Sequence, residues 1–272
     1  MRIFISADIE GVAGVVNAQQ GTPGNPEYER ARRLMTEEVN AAIAGAIEGG
    51  ATYVLVNDSH GPMVNLIPED LDPRAECIIG RPKAMMMTAG LDASFDAVFF
   101  TGYHSGAGRH GVLSHTVSGF AFQALRVNGI DCAEATLYGA YAGSLGVPVA
   151  LLSGDDQLEA QCAELFAGAQ MVVVKQALGH RAARALSPEM ARARIREGAE
   201  RAVRSVAGCT PYTIPGPCRL EADLASVGMA DLCATIPVAT RTGPRSVAFE
   251  TPGVEGALQW ISVLATLCGT MR

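Results

Sequence analysis

Short apolar runs alternate along the chain with longer segments of helical periodicity. This alternation predicts an α/β fold with a mainly parallel sheet flanked by helices. Three of the apolar runs, at residues 3–7, 53–56 and 97–102, end directly before carboxylates or histidines or within three residues of them. Such continuous apolar runs are typical of parallel strands that are buried on both faces. The side chains that follow them should therefore meet at one edge of the sheet, where the carboxyl ends of parallel strands lie together.

The helical segments have recognisable ends. An N-P pair at 25–26 is a typical helix start, and an apolar stripe runs from it to the G-G pair at 49–50, so we predict an amphipathic helix between the two. Glu37 and Glu38 lie off this stripe and are expected to be solvated. Further helices are predicted over 82–91, 133–145, 188–206 and 254–267. Further strands are predicted over 77–79, 116–127, 147–152, 171–174, 212–224 and 246–249.

The pattern changes near residue 209, where proline-punctuated strands replace the alternation of strands and helices. We therefore predict an α/β core at 1–208 and a smaller C-terminal α+β lobe at 209–272 that packs on it. A single domain is the alternative, because no flexible linker marks the boundary.

Composition narrows the class of protein. The 272 residues are 49% apolar and 18% charged, as in an ordinary globular protein, and the net charge of −7 argues against a nucleic-acid binder. No apolar stretch approaches the ~20 residues of a membrane span, and no signal peptide is expected. The seven cysteines are scattered without a C-x-x-C pair, so we expect a reducing, cytoplasmic setting. Only two lysines, Lys83 and Lys175, occur beside nineteen arginines, which we interpret as compositional bias.

The strand ends supply two carboxylates and two imidazoles. Asp8 and Glu10 follow the first apolar run, His60 follows the second and His104 follows the third. Their convergence predicts a divalent metal site, and carboxylates mixed with imidazoles suit zinc, manganese or iron better than calcium or magnesium. Taken singly, the carboxylates also fit a helix cap or a surface turn, and each histidine also fits a packed structural residue. Asp58 either orients His60 or forms a turn.

Spacing defines the other candidates less closely. His115 follows His104 by eleven residues and is a candidate ligand, general acid or base, or oxyanion-stabilising group. His110 and His180 follow no strand-end pattern, and we interpret both as surface or structural residues. Glu134 lies near the start of a predicted helix, where the helix dipole already favours a carboxylate, so spacing alone does not select it. The glycines after the first strand lack the G-x-G-x-x-G and G-K-[ST] patterns, which argues against nucleotide binding and a nucleotide-dependent oxidoreductase.

Four motifs in this order and at these intervals resemble the M55 peptidases, the D-aminopeptidases of the dipeptide-transport DppA type. The motifs are S-x-D-x-E-G at 6–11, N-D-S-H at 57–60, G-Y-H at 102–104 and S-H at 114–115. The likeness continues through M-T-E-E at 35–38, G-D-D at 154–156 and V-K-Q at 174–176. It covers most of the chain, although the region after about residue 209 matches only loosely.

The resemblance implies a di-zinc site in which Asp8 bridges the two metal ions. The remaining ligands would be Glu10, His60, His104 and Glu134. The catalytic histidine of the family would fall on His115. The resemblance also implies a homo-oligomer, and the ring-shaped decamer known for the family is the expected form.

The expected reaction is metal-assisted hydrolysis of the N-terminal residue of short peptides, preferably peptides with D-amino acids such as D-Ala-D-Ala. A dinuclear-metal phosphoesterase is the alternative because it uses the same ligand chemistry, although Arg109 is the only cation near the motifs that would clamp a phosphate. A peptide- or metal-binding accessory protein of a transport system is a non-enzymatic alternative. Residues 107–110 match no family feature, and Arg109 and His110 could alter which peptide terminus is favoured.

Overall fold

The computed structural model describes residues 1–272 and arranges them around two sheets. The twelve strands are β1 (Arg2–Ala7), β2 (Tyr53–Asp58), β3 (Ala75–Ile78), β4 (Ala97–Tyr103), β5 (Phe122–Val127), β6 (Ile130–Asp131), β7 (Val149–Asp155), β8 (Gln170–Gly179), β9 (Ala182–Ala185), β10 (Cys218–Leu224), β11 (Thr240–Gly243) and β12 (Ser246–Thr251). The six α-helices are α1 (Pro26–Gly49), α2 (Glu134–Ser144), α3 (Asp156–Cys162), α4 (Pro188–Ser205), α5 (Val227–Cys233) and α6 (Val254–Gly269).

The larger sheet has seven strands in the order β3-β2-β1-β4-β7-β8-β9. All of its neighbouring strands pair in parallel except β9, which runs antiparallel to β8. The first strand lies between β2 and β4, with Ala7 opposite both Asp58 and Thr101. The loops that follow these three strands therefore leave the sheet side by side. The predicted α/β fold with a mainly parallel sheet is confirmed.

The smaller sheet has five antiparallel strands in the order β11-β12-β10-β5-β6. Three of its strands lie after residue 209, whereas the hairpin of β5 and β6 comes from residues 122–131. The smaller sheet thus combines strands from the end of the chain with a hairpin from an earlier part of it. The division into two domains at residue 209 stays a prediction.

Helices cover both faces of the larger sheet and hold its strand ends in place. On one face, α1 and α4 pack on the sheet around buried residues such as Ile3, Met35 and Ile195. These two helices approach closely at Gly45, where an added Cβ would lie 2.1 Å from the carbonyl oxygen of Arg196. On the other face, α2 packs between the larger sheet and α6, and α3 packs on β7 and β8.

The predicted helix over 82–91 is wrong. This segment is a loop with a single 3-10 turn, although its methionines pack on the sheet as expected. The carbonyl of Met86 accepts a hydrogen bond from Asn57 Nδ2 at 3.1 Å, and the carbonyl of Met87 accepts one from the Ser6 hydroxyl at 2.7 Å. These bonds hold the segment against the ends of β1 and β2, in a path other than a regular helix.

The other long helices are confirmed, with ends within two residues of those predicted. Two predicted strands begin later than expected, at Phe122 and Cys218. The second is delayed because Pro215 and Pro217 cannot donate backbone hydrogen bonds to a neighbouring strand.

Candidate metal centre

The strand-end residues converge as the topology requires. The loop after β1 carries Asp8 and Glu10, His60 lies two residues after β2, and His104 follows β4 directly. Each is largely or fully buried. The three parallel strands are adjacent, so their loops bring these four side chains into a single cluster.

The other two predicted site residues reach the same cluster from outside the sheet edge. Glu134 is the first residue of α2, and its Oε1 also accepts the backbone N–H of Val117 at 2.6 Å. That contact ties α2 to the loop that carries His115. The structure therefore brings all six predicted site residues together.

Asp8, Glu10 and His60 form one possible ligand group, with donor atoms within 4.8 Å of one another. His60 Nδ1 lies 3.2 Å from Asp8 Oδ1 and 2.8 Å from Glu10 Oε2. The other ring nitrogen, Nε2, lies 2.7 Å from the carbonyl oxygen of Gly21. A carbonyl can only accept, so Nε2 carries the proton and Nδ1 is left free to bind a metal.

Asp8, His104 and Glu134 form a second group of the same kind. His104 Nε2 lies 3.4 Å from Asp8 Oδ2 and 3.3 Å from Glu134 Oε2, while Nδ1 donates to the Ser105 carbonyl at 2.9 Å. The two groups share Asp8, whose Oδ1 faces His60 and whose Oδ2 faces His104. One carboxylate thus offers one oxygen to each group, which is the geometry of a bridging ligand.

His115 lies against both groups. Its Nε2 is 3.9 Å from Glu10 Oε1 and 3.7 Å from Glu134 Oε1, and its ring stacks on His104 with centroids 4.3 Å apart. Nδ1 donates to the carbonyl of Leu113 at 2.9 Å, which leaves Nε2 free to act on a ligand or a proton. The spacing also permits His115 to join Glu10 and His104 as a metal ligand.

The crowded carboxylates perturb one another. Burial and the charge of Glu10 raise the pKa of Asp8. Burial also opposes ionisation of Glu10, but the charge and hydrogen bond of His60 outweigh it, and the pKa of Glu10 lies well below its usual range. Burial likewise disfavours charge on His60 and His104, yet their carboxylate neighbours raise the pKa of both rings well above the usual value. A divalent cation would neutralise the negative charge of these clustered carboxylates.

Two atoms of the cluster point directly to a metal. Glu10 Oε2 and His104 Nε2 are buried, and neither has a hydrogen-bond partner outside the cluster itself. Buried polar atoms are nearly always paired in proteins, so unpaired donor atoms that face a shared space fit a metal ion. Imidazole nitrogens combined with carboxylate oxygens are a ligand set that suits zinc.

Comparison with known proteins agrees with this geometry. The family model for the M55 peptidases, described as D-aminopeptidase, matches residues 1–263. The chain belongs to this family. It is 34% identical over 268 residues to the D-aminopeptidase of Bacillus subtilis (strain 168), covering 98% of this chain and 97% of that protein. A solved structure of the Zn-dependent D-aminopeptidase DppA from Bacillus subtilis, a self-compartmentalizing protease, matches with a TM-score of 0.96 and 34% identity over 100% of this chain and 98% of its own.

The ligand groups of this M55 peptidase open onto a cavity of about 590 Å³. Its other walls come from the loop at 81–87, the loop at 115–120 and the last turns of α6. A volume in the range of ~300–1,000 Å³ is typical of sites for small molecules.

None of the helices has both the length and the apolar content needed to cross a bilayer.

The outcome for the secondary candidates is mixed. Asp58 accepts the backbone N–H groups of Asn65 and Leu66, so it holds a turn and does not contact the ring of His60. His110 and His180 are exposed, as expected.

Arg109, the cation considered as a phosphate clamp, is exposed. It lies 3.5 Å from Asp131 and does not line the cavity. It therefore gives the phosphoesterase alternative no support.

Two buried charged residues were missed by sequence reasoning. The expectation that Glu38 is solvated is wrong: it is buried and accepts the backbone N–H of Ala13 at 2.8 Å, and burial raises its pKa to about 7. Lys175 is buried beside the same loop, where Nζ donates to the carbonyls of Glu10, Val12 and Val15 at 2.5, 3.0 and 2.6 Å. Both side chains fix the loop that presents Glu10. For Lys175, the available signal in the sequence was the scarcity of lysine. Both lysines of the chain lie at this edge of the sheet.

Proposed function

We propose that this chain is a zinc-dependent aminopeptidase that removes the N-terminal residue of short peptides containing D-amino acids, of the D-Ala-D-Ala type. One observation supports this above the others: two ligand groups that share Asp8 face a small-molecule cavity in a chain of the D-aminopeptidase family. The solved relative is Zn-dependent, and the residues of this chain fit the same metal.

We assign the metal ligands as follows. Asp8 would bridge two zinc ions, with Glu10 and His60 on one side and His104 and Glu134 on the other. Zinc held there would polarise the scissile carbonyl and lower the pKa of a bound water molecule. The hydrogen bonds to the carbonyls of Gly21 and Ser105 keep both rings in the tautomer that leaves the ligating nitrogen free.

His115 is the proposed catalytic residue. Its Nδ1–H is anchored on the carbonyl of Leu113, so only Nε2 can face the substrate. At that position Nε2 would exchange a proton with the reacting groups or, once protonated, donate a hydrogen bond to the developing oxyanion. The carboxylates of the site, Glu10 among them, would accept hydrogen bonds from the free α-ammonium group of the peptide.

We further propose that the chain forms a homo-oligomer, with the decamer of the family as its form. The solved relative is described as self-compartmentalizing, which supports an assembly that encloses its active sites. A cytoplasmic location remains a prediction from the scattered, free cysteines.

The test compares D-Ala-D-Ala with L-Ala-L-Ala, using zinc-loaded and chelator-stripped protein side by side. We expect zinc-dependent cleavage that favours the D-peptide, and no turnover of a chromogenic phosphate ester. Zinc-dependent cleavage of the L-peptide alone would support zinc-dependent peptide hydrolysis and reject the preference for D-amino acids. Turnover of the phosphate ester without cleavage of either peptide would reject the proposal.

A further inference from the structure

The cavity has an uneven distribution of charge. All of its lining carboxylates belong to the proposed metal site: Asp8, Glu10 and Glu134. The remaining charged side chains of the wall are all cations: Arg81, Lys83 and Arg272. The acidic part has a clear use in binding metal ions and an α-ammonium group. The cationic part has no role in the mechanism above.

Lys83 is the best-positioned of these cations. It is only partly exposed, and its Nζ donates to Asn57 Oδ1 and to the carbonyl of Asp58, both at 2.7 Å. An ammonium group has three N–H donors, so one remains for a ligand. The two bonds tie Lys83 to the end of β2, the strand that leads to His60. Its position relative to the metal site is therefore fixed by the sheet.

The two arginines are held less firmly. Arg81 is exposed and donates only to the carbonyl of Gly61, at 3.2 Å. Arg272 is exposed at the end of the chain, with its guanidinium 4.8 Å from the centroid of the Phe120 ring. Ordering such long, exposed side chains costs conformational entropy, which reduces what they contribute to binding.

The use of lysine at this position supports a specific role. The chain uses arginine at nineteen of its 21 basic positions, and Lys83 is one of two exceptions. A compact ammonium can donate to two neighbouring oxygens and still present a third donor, whereas a planar guanidinium fork cannot adopt that geometry. The position therefore needs the shape of lysine as well as its charge.

We propose that Lys83 binds the C-terminal carboxylate of the peptide while the α-ammonium end lies at the acidic metal site. The cavity would then recognise both charged ends of a short zwitterionic peptide. This proposal rests on the proposed aminopeptidase function and adds a selection rule to it: the enzyme prefers short peptides whose C-terminus is free. A charge-assisted hydrogen bond of this kind favours the free acid by about tenfold to a hundredfold.

The experiment compares D-Ala-D-Ala with D-Ala-D-Ala amide as substrates of the zinc-loaded protein. For the unmodified chain we expect kcat/KM to be at least about tenfold higher for the free acid. In Lys83→Met the preference for the acid should disappear, because KM should rise more for the acid than for the amide. Lys83→Arg should recover little of the preference. Arg109→Met, whose side chain lies outside the cavity, serves as the control and should keep the full preference.

Three outcomes would overturn the proposal. The first is equal cleavage of acid and amide by the unmodified chain, a result that needs no variant and no assumption about folding. Lys83→Met could lower both rates by the same factor, which would make Lys83 a structural residue only. The third is a Lys83→Met variant that keeps the preference for the acid while Arg81→Met or Arg272→Met loses it. That result would assign the carboxylate site to the arginine concerned. Failure of the proposed function gives a different result, because neither substrate would then be cleaved.

Discussion

The buried Lys175 provides a quantitative test of how the loop that carries Glu10 is held. The substitution Lys175→Met keeps the length and the apolar stem of the side chain but removes all three N–H donors. The carbonyls of Glu10 and Val15 would then lose their partner in a buried environment, whereas the Val12 carbonyl would keep the backbone N–H of Val15 at 3.1 Å.

The magnitude follows from two opposing effects. Each buried acceptor left without a partner costs roughly 1–3 kcal/mol, so the two carbonyls of Glu10 and Val15 cost roughly 4 kcal/mol at the middle of that range. Burial lowers the pKa of Lys175 from 10.5 to about 8, which corresponds to roughly 3 kcal/mol of penalty on the charged form that methionine does not carry. The balance is a loss of roughly 1 kcal/mol in the free energy of unfolding.

The substitution should also weaken zinc binding, because Glu10 would no longer be held in place. Loss of a residue that supports a metal ligand typically lowers metal affinity about 10–100-fold. We would measure unfolding in urea on the metal-free protein and zinc affinity by competition with a chelator. The absorption spectrum of the cobalt-substituted protein reports ligand geometry separately from stability.

The control is Arg194→Met, which removes an exposed cation from α4 and should change neither quantity. If Lys175→Met unfolds at the same urea concentration as the unmodified protein and binds zinc equally tightly, the reasoning about this loop is refuted.

Further predictions concern the site and its support. His115→Ala should lower kcat for D-Ala-D-Ala by roughly 10²–10⁴-fold with zinc content unchanged, as measured by steady-state kinetics and metal analysis; near-normal turnover would remove His115 from the mechanism. His60→Ala and His104→Ala should each lower bound zinc from two equivalents to about one, because the two rings belong to different groups around the shared carboxylate; retention of both ions would contradict the ligand assignment. Zinc should bind more tightly as pH rises through the neutral range, since the carboxylates raise the pKa of both rings and protons therefore compete with the metal. Calorimetry in buffers of different ionisation enthalpy would show the released protons, and an affinity independent of pH would contradict this. Gly11→Ala should destabilise the fold by roughly 2 kcal/mol in urea unfolding, because its Cβ would lie 1.9 Å from the Tyr103 carbonyl oxygen; an unchanged midpoint would show that the loop can shift.

Sequence reasoning was most successful where local pattern and topology determine position. Asp8, Glu10, His60 and His104 follow apolar runs, and adjacent parallel strands must place their ends together. Glu134 could not be found in this way, because its place depends on how α2 packs across the sheet edge. Only the family resemblance indicated it.

Glu38 shows why periodicity can mislead. It lies off the apolar stripe of α1, so the helix pattern alone predicts a solvated side chain. The loop after β1 covers this part of the helix, and the backbone N–H of Ala13 binds the carboxylate there. Helical periodicity cannot predict a contact between residues that lie 25 positions apart in the chain.

The loop over 82–91 is a similar case. Its spacing resembles a short helix, but Asn57 and Ser6 bind two of its carbonyls from neighbouring strand ends. Lys83 is positioned by this same loop. Hydrogen bonds to neighbouring strands therefore hold this segment as a loop. The loop places Lys83 in the wall of the cavity.

The central claim is that zinc held by the two groups around Asp8 is required for peptide cleavage. The most direct test is a titration of chelator-stripped protein with zinc, in which bound metal and D-Ala-D-Ala turnover are measured on the same samples. We predict that turnover is negligible without zinc and reaches its maximum as the second equivalent binds. Full turnover in protein that holds no metal would contradict the account.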